Sequence, residues 1–163
     1  EPYVHHVPIL SGGIGYEEVY AFYSDSFVGK MPSDTKFVRI SRTIGNNQIV
    51  DELILSFTHD NEIPAMIPEI SPTGLYVELP IVVVMKFKGN KIEHEHIYWD
   101  QASLLLQIGL LDNNKLPIIG IEQSKKLKEL ALSTQKTTKK KLFLHLKHKI
   151  LKTSAISGII LKL

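Results

Sequence analysis

Five stretches of the chain carry the mixture of apolar and polar positions that is typical of β-strands. They predict strands over 3–10, 35–44, 48–58, 75–87 and 92–99. Gly-Asn-Asn at 45–47 has the chemistry of a hairpin turn between the second and third strands. Lys-Gly-Asn-Lys at 88–91 predicts a second turn before the fifth strand. The pattern therefore predicts long antiparallel strands.

A sixth stretch follows a helical period instead. Aromatic and apolar residues recur at intervals of three and four, and Glu17 and Glu18 lie in the first turn, where the helix dipole favours anions. Gly29 and Pro32 end this helix. Its apolar positions are Tyr16, Val19, Tyr20, Tyr23 and Phe27. The pattern predicts one amphipathic helix near the start of the chain.

The remaining segments are shorter or less regular. A helix is predicted over 101–108 and a weaker one over 125–132. The segment 60–74 contains three prolines and predicts a long irregular loop. The glycine-rich segment 11–15 lacks the lysine and the preceding buried strand that a phosphate site requires, so it predicts a turn.

Long antiparallel strands and one amphipathic helix predict an α+β fold, in which a curved sheet wraps around the helix. The space between sheet and helix is a natural ligand cavity. Aromatic residues at helical spacing are usually packing groups, and here we expect them to serve as core or as pocket lining. The expected lining residues are Tyr20, Tyr23, Val83, Met85, Tyr98 and Trp99.

The predicted fifth strand holds the most informative pattern, Ile-Glu-His-Glu-His-Ile-Tyr-Trp-Asp at 92–100. Residues two apart share a face of a strand, so His94 and His96 point to one side and Glu93 and Glu95 to the other. Glutamates suit water, and the histidine face is therefore expected to be the inner one. An imidazole near pKa 6.5 suits proton abstraction near neutral pH. The structural alternative is a pair of core histidines held by tyrosine hydroxyls or backbone carbonyls.

Two aspartates are further candidates. Asp51 is the polar exception in an otherwise apolar line of alternate positions, so it must be paired, have a raised pKa or face a cavity. A one-residue bulge that turns Asp51 outward is an equally good interpretation. Asp100 stands where the N-cap of the helix over 101–108 belongs. A cap and a catalytic role are both compatible with that position.

A metal site is a weaker alternative. Two histidines two apart on a strand can chelate, but a structural zinc needs four ligands and a catalytic zinc three. Nothing in the spacing of His5, His6 and His59 brings them to His94 and His96. No metal and no cofactor are therefore expected.

Composition excludes several classes of protein. The 163 residues fit one domain, and the absence of cysteine excludes disulfides and thiolate chemistry. No apolar run reaches the roughly 20 residues of a membrane span. No signal-like segment is present and the first residue is Glu1 rather than methionine. We therefore expect a cytoplasmic protein, and a chain that is a fragment or has been trimmed.

The formal net charge of +2 conceals an asymmetry. Residues 133–163 contain eight lysines and no acidic residue, whereas the rest of the chain has 11 basic and 17 acidic residues and a net charge of −6. The basic character belongs to the tail, and it does not predict nucleic-acid binding by the domain. A disordered extension or a marginal helix is expected for the tail, with contact to an anionic surface as the alternative.

Several motifs together resemble SnoaL-like proteins of the nuclear transport factor 2-like superfamily, in particular members that sometimes accompany dienelactone hydrolase-like domains. The main one is His-Glu-His-Ile-Tyr-Trp-Asp-Gln-Ala-Ser at 94–103, followed by Gln-Ile-Gly-Leu-Leu at 107–111. Supporting stretches are His-Val-Pro at 6–8, Ser-Arg-Thr at 41–43, Val-Asp-Glu at 50–52, Phe-Thr-His at 57–59 and Pro-Thr-Gly at 72–74. The resemblance covers about 3–111.

This resemblance implies a cone-shaped α+β fold with a pocket at its open end, and N-terminal helices of the family are expected to be missing before Glu1. In SnoaL-like polyketide cyclases an aspartate near the last strand acts in an aldol closure, and Asp100 matches it. The assisting histidine of those cyclases belongs to the preceding strand, which is aliphatic here (Val82, Val83, Val84). The superfamily hosts several reactions and also non-catalytic binders.

We therefore expect a SnoaL-like domain over 1–120, a weak helix over 121–132 and the tail over 133–163. The hypothesis for function is proton transfer next to a carbonyl, leading to cyclisation, isomerisation or dehydration of a small, apolar, oxygenated molecule. The expected catalytic residues are His96, His94, Asp100 and Asp51. The alternative is a non-catalytic module for ligand binding or for dimerisation through the sheet.

Overall fold

The computed structural model describes residues 1–134 and 141–142. The chain divides into two compact units, Glu1–Lys126 and Leu127–Leu163. Within the first unit the residues 122–126 are helical, and within the second the described residues 127–134 and 141–142 are helical. Most of the predicted basic tail, which spans 133–163, lies outside the described residues.

The first unit is built on one curved, unclosed sheet of six strands. They are β1 (Tyr3–His6), β2 (Ser11–Ile14), β3 (Lys36–Ile44), β4 (Gln48–Thr58), β5 (Tyr76–Lys88) and β6 (Lys91–Trp99). Their order in the sheet is β2-β1-β6-β5-β4-β3. Neighbouring strands are antiparallel, except that β1 and β6 are parallel. The predicted α+β class is confirmed.

The glycine-rich segment is a strand, so the prediction of a turn over 11–15 is wrong. The predicted strand over 3–10 ends at His6, and the chain turns back through Leu10, which adopts a φ of 57°. Gly12 then lies so close to β1 that a Cβ at this position would be 2.0 Å from the Val4 carbonyl oxygen. Glycine is needed here because the two backbones approach closely, which is a second use of glycine besides turning the chain.

The predicted amphipathic helix is present, but its winding changes partway. Helix α1 (Gly15–Ala21) continues as a π-helix over Phe22–Phe27. The Val28 N–H donates to the Tyr23 carbonyl at 2.7 Å, five residues back. Wider turns of this kind re-aim the side chains they carry and are frequent at functional sites. The turn carries Tyr23 and Phe27 on the side that faces the sheet.

The proline-containing loop over 60–74 is irregular, as predicted, but it is not a surface loop. Its residues Ile63, Ala65 and Met66 are buried. They close one end of the apolar core between the sheet and the helical segment. The other buried members of the core include Phe22, Leu55, Phe57, Val77, Leu79, Ile97, Trp99 and Leu104.

Helix α2 (Gln101–Gln107) completes the exposed edge of β5, where β6 has ended. The Gln107 side chain accepts the Glu78 N–H at 2.9 Å and donates to the Glu78 carbonyl at 3.2 Å. The Ser124 hydroxyl also donates to this carbonyl, at 3.0 Å. A side-chain amide thus satisfies backbone groups that a neighbouring strand would otherwise bond, which is necessary because an unpaired buried backbone group is costly.

Candidate functional site

A cavity of about 250 Å³ lies between one face of the sheet and the helical segment, and we call this face of the sheet the inner face. Ten apolar side chains line the cavity, together with four polar ones. The four polar residues are His6, Tyr23, Asp51 and Glu95. A mainly apolar concave space with a few polar groups is the usual form of a small-molecule site.

The strand register explains how residues distant in sequence come to share this cavity. Asp51 pairs with Val83, Val83 with Ile97, and Ile97 with His6. These four residues form one row across β4, β5, β6 and β1, and all four line the cavity. Strands lie about 4.8 Å apart, so roughly 14 Å of sheet separates the two ends of the row. Glu95 occupies the next inner position along β6.

Tyr23 and Glu95 form the closest polar contact across the cavity. The Tyr23 hydroxyl donates to Glu95 Oε2 at 2.5 Å, joining the π-helical turn to the sheet. Burial raises the pKa of the Tyr23 hydroxyl, and the bond to the Glu95 carboxylate and its charge raise it further. The phenol therefore stays protonated at neutral pH and serves as a hydrogen-bond donor to the carboxylate.

His6 is the deepest ionisable group of the cavity, with 4% of its surface exposed. Burial, with a smaller contribution from the neighbouring charge of His5, lowers the pKa of His6 to about 4. The ring is therefore neutral near pH 7. Its Nδ1 is buried and has no hydrogen-bond partner among the described residues. A ligand oxygen or a water can supply that missing bond, as donor or acceptor according to the tautomer.

Asp51 faces the cavity but is already paired. Arg42 donates to it through Nε at 2.6 Å and through Nη2 at 2.5 Å, a two-point contact across β3 and β4. These bonds to Arg42 are the main cause of the lowered pKa of Asp51. A bulge does exist nearby, but it lies in β3 between Arg39 and Ser41, so Asp51 keeps its inward direction. A carboxylate held in this way is a weak base and a fixed charge.

The two histidines of β6 lie on the opposite, outer face of the sheet, so the expectation that they point inward is wrong. Tyr3 stacks on His94 with ring centroids 4.8 Å apart, and His94 stacks on His96 at 4.7 Å. The Tyr3 hydroxyl lies 3.0 Å from His96 Nε2. Burial and the nearby charges of His94 and His5 lower the pKa of His96. Neither His94 nor His96 lines the cavity.

The reason for the reversal lies at the end of the same strand. Ile97 and Trp99 share a face with Glu95, and they are 5% and 8% exposed. Burying two large apolar side chains contributes about 1.5–3 kcal/mol each. That gain exceeds the cost of a half-buried carboxylate, because Tyr23 supplies a hydrogen bond to Glu95. Ile97 and Trp99 therefore decide which face of β6 points inward. Because side chains alternate along a strand, Glu95 lies on that inner face and the two histidines lie on the outer one.

The other predicted site residues are spread over three places. Asp100 is the N-cap of α2, accepting the Ser103 N–H at 3.0 Å and the Gln123 side-chain N–H at 2.8 Å. Trp99 is buried in the core, and Tyr98 lies exposed on the outer face. The structure therefore does not bring Asp100, His94 and His96 together with Asp51. Of the expected lining residues, Tyr23, Val83 and Met85 line the cavity.

Sequence reasoning missed His6 and Glu95 as cavity residues. The signal for Glu95 was available, because Ile97 and Trp99 continue its face of the strand. No local signal identifies His6, since its position follows from the parallel pairing of β1 with β6. Among the described residues, no three histidine or acidic side chains are grouped so that they could hold a metal ion. In the same part of the chain, no helix has the length and apolar character to span a membrane.

Comparison with known proteins identifies the fold. No protein family model matches the sequence, and neither does any curated protein. Several solved structures have a similar fold, including the following three. One is a protein assigned as a SnoaL-like polyketide cyclase from Jannaschia sp. CCS1, with 16% identity, a TM-score of 0.53, and coverage of 68% of this chain and 71% of that one.

The second is AclR from Streptomyces galilaeus, assigned as a hydroxylase, with 15% identity and a TM-score of 0.51; the match covers 68% of this chain and 76% of that one. The third is a protein of ketosteroid isomerase-like fold from Catenulispora acidiphila DSM 44928, in complex with trimethylamine. It has 15% identity and a TM-score of 0.50, and the match covers 68% of this chain and 75% of that one. At these identities the likeness shows the fold. The fold implied by the sequence motifs, an α+β fold with a curved sheet, is thus confirmed.

Proposed function

We propose that the cavity binds a small, mainly apolar, oxygen-bearing molecule and that Glu95 transfers a proton at a carbon next to its carbonyl group. The observation that carries this proposal is the Glu95 carboxylate, which lines an apolar cavity and is oriented by the Tyr23 hydroxyl. An oriented carboxylate beside bound substrate is a standard arrangement for general acid–base catalysis. The proposed base is thus Glu95 on the inner face, and not one of the two histidines on the outer face.

In this mechanism the carbon–hydrogen bond breaks and its electron pair moves to the carbonyl oxygen, forming an enolate. The proton goes to Glu95, which becomes a neutral acid and can return it to the same or another carbon. The Tyr23 hydroxyl keeps its proton because its pKa is raised, so it remains a donor throughout. His6 offers its buried, unpartnered Nδ1 to the substrate oxygen. The Arg42–Asp51 pair supplies fixed charges at the other end of the row.

The test uses 2-tetralone, a small bicyclic ketone with acidic hydrogens next to its carbonyl. In deuterated buffer the protein should accelerate exchange of these hydrogens, followed by proton NMR. Glu95→Gln should lower the rate by about 10²–10⁴, because the base is lost while the shape is kept. The matched control is Glu93→Gln, two residues away on β6, where the carboxylate contacts Lys86 at 3.4 Å. Equal exchange by wild type and Glu95→Gln would refute the assignment.

A second candidate function is non-catalytic binding in the same cavity. It is favoured by the fact that both cavity carboxylates already have partners, Arg42 for Asp51 and Tyr23 for Glu95. In that case 2-tetralone would bind and shift protein resonances, yet exchange would be no faster than in buffer.

The homodimer expected from the sequence would use the outer face, where Tyr98 is exposed beside the two histidines. Sedimentation of His96→Glu against wild type tests this, since two like charges facing each other would weaken a dimer.

A further inference from the structure

A second, larger space lies next to the cavity, and the proposed proton transfer does not use it. This groove of about 710 Å³ is lined by side chains of α1, by Tyr23 and by the facing ends of β5 and β6. Tyr23 also lines the inner cavity, so the two spaces share one wall. We call it the tyrosine–lysine groove after Tyr16, Tyr20, Tyr23, Lys88 and Lys91.

The aromatic side of the groove is largely exposed to solvent. Tyr16 is 71% exposed and Tyr20 is 63% exposed, with their rings stacked at a centroid distance of 6.2 Å. Ile92, on the opposite side, is 51% exposed. Exposed apolar surface that is gathered in a concavity is a mark of ligand binding, whereas scattered exposed side chains are ordinary.

The charged side of the groove is formed by the hairpin between β5 and β6. Lys88 and Lys91 stand on either side of the turn, paired with each other in the strand register. Among the described residues neither of them has a carboxylate within ion-pair distance. Two acidic residues also line the groove, Glu1 and Glu93, and the second contacts Lys86 at 3.4 Å. Two ammonium groups beside stacked tyrosines offer a place for an anion attached to an apolar body.

We propose that the ligand of this protein is an elongated apolar molecule with a carboxylate at one end. Its apolar body occupies the inner cavity, its chain passes Tyr23, and its carboxylate is bound by Lys88 and Lys91. This proposal rests on the proposed function, because it extends the same ligand beyond the cavity. The tyrosines pack against the chain, and the lysines select the anionic form over a neutral one of the same size.

The test compares 6-phenylhexanoate with 6-phenylhexanamide, two ligands of the same length that differ in charge. Calorimetric titration should show the carboxylate binding about three- to tenfold more tightly, the range expected for contacts between exposed charges. The double variant Lys88→Gln/Lys91→Gln should remove this preference and leave the affinity for the amide unchanged. Lys115→Gln is the matched control, since Lys115 is exposed and lines neither space. Raising the salt concentration from about 0.05 to 0.5 M should lower the affinity for the carboxylate and leave the affinity for the amide unchanged.

Val83→Trp, which fills the inner cavity, should abolish binding of both ligands. This result would show that the apolar part of each ligand binds in that cavity. Equal affinity of wild type for the acid and the amide would overturn this proposal and leave the cavity proposal standing. An equal loss of affinity for both ligands in the double lysine variant would overturn it as well. Failure of both ligands to bind wild type would overturn this proposal, whereas the exchange of 2-tetralone decides the cavity proposal separately. Slow exchange of 2-tetralone by Glu95→Gln, together with an unchanged preference for the carboxylate over the amide, would support both proposals. It would show that Glu95 acts in catalysis and that the lysines act in ligand recognition.

Discussion

Glu95 and His96 are adjacent in the chain, yet they belong to two different environments. On the inner face of β6, Glu95 lies against an apolar cavity and accepts a hydrogen bond from a helix. On the outer face, His96 lies in a stack of rings that includes Tyr3 and His94. The inner face is organised around burial, and the outer face around contacts between half-exposed rings. A polar residue acquires its role from the apolar residues that share its face.

Titratable residues are therefore poor guides to the direction of a strand. Histidine tolerates both surroundings, and a carboxylate tolerates a half-buried position once a donor is available. Ile97 and Trp99 have no such freedom, because exposing them would forfeit apolar burial.

The largest difference should come from one pair of isoleucine truncations on β6. Ile97→Ala should lower the free energy of unfolding by about 2–5 kcal/mol, because it leaves a space in the buried inner face. Ile92→Ala, on the same strand at an exposed position, should change it by less than about 0.5 kcal/mol. Urea denaturation measures both. Similar losses for the two variants would mean that the faces are assigned incorrectly.

Acid should act on the inner face through His6. The pKa of His6 is about 4 in the folded protein and near 6.5 in the unfolded chain, so the unfolded chain binds more protons between these values. The free energy of unfolding is therefore full above pH 6.5 and falls by about 3 kcal/mol as the pH drops to 4. His6→Leu should flatten this dependence in denaturation series between pH 7 and 4. An unchanged slope would show that other groups cause it.

A smaller effect is expected for the hydroxyl that connects the helix to the sheet. Tyr23→Phe removes the bond to Glu95 and should cost about 1.5 kcal/mol of folding free energy, as for a hydrogen bond to a charged group. Tyr20→Phe is the matched control on the exposed side of the same helical segment and should cost almost nothing. Thermal denaturation compares them. A stable Tyr23→Phe variant would mean that the contact contributes little.

The smallest effect should follow changes on the outer face. His96→Ala removes the contact with Tyr3 and one partner of the ring stack, and it should cost no more than about 1 kcal/mol. Exchange of 2-tetralone by this variant should equal that of wild type, because His96 does not line the cavity. Loss of exchange with an intact fold would return the catalytic base to the outer face.

The sequence predicted the architecture well because strand and helix periods are local. The hairpin at 45–47, the helix after Asp100 and the irregular loop over 60–74 are all present. The direction of Glu95 is also encoded locally, because Ile97 and Trp99 share its face of β6, although the polarity of the two glutamates alone predicts the opposite side.

Other parts of the site depend on contacts that no local pattern carries. His6 reaches the cavity through a parallel pairing with a strand near the other end of the first unit. Arg42 meets Asp51 only because of the register between β3 and β4, including the bulge after Arg39. The π-helical turn at Tyr23 is likewise not visible in the local pattern, since its residues have ordinary helical spacing. The positions of His6 and Arg42 are decided by the register of the assembled sheet.

The pairing of β1 with β6 also affects the order in which parts of the sheet can form. Tyr3 and His96, which meet across β1 and β6, are 93 positions apart in the chain. A chain emerging from the ribosome can form the β3–β4 hairpin early, since its strands are close in sequence, whereas β1 must wait until β6 has been synthesised. Closing so long a loop is slow and costs entropy. The wall of the cavity that bears His6 therefore cannot form until β1 pairs with β6, so the cavity is complete only after most of the first unit has been synthesised.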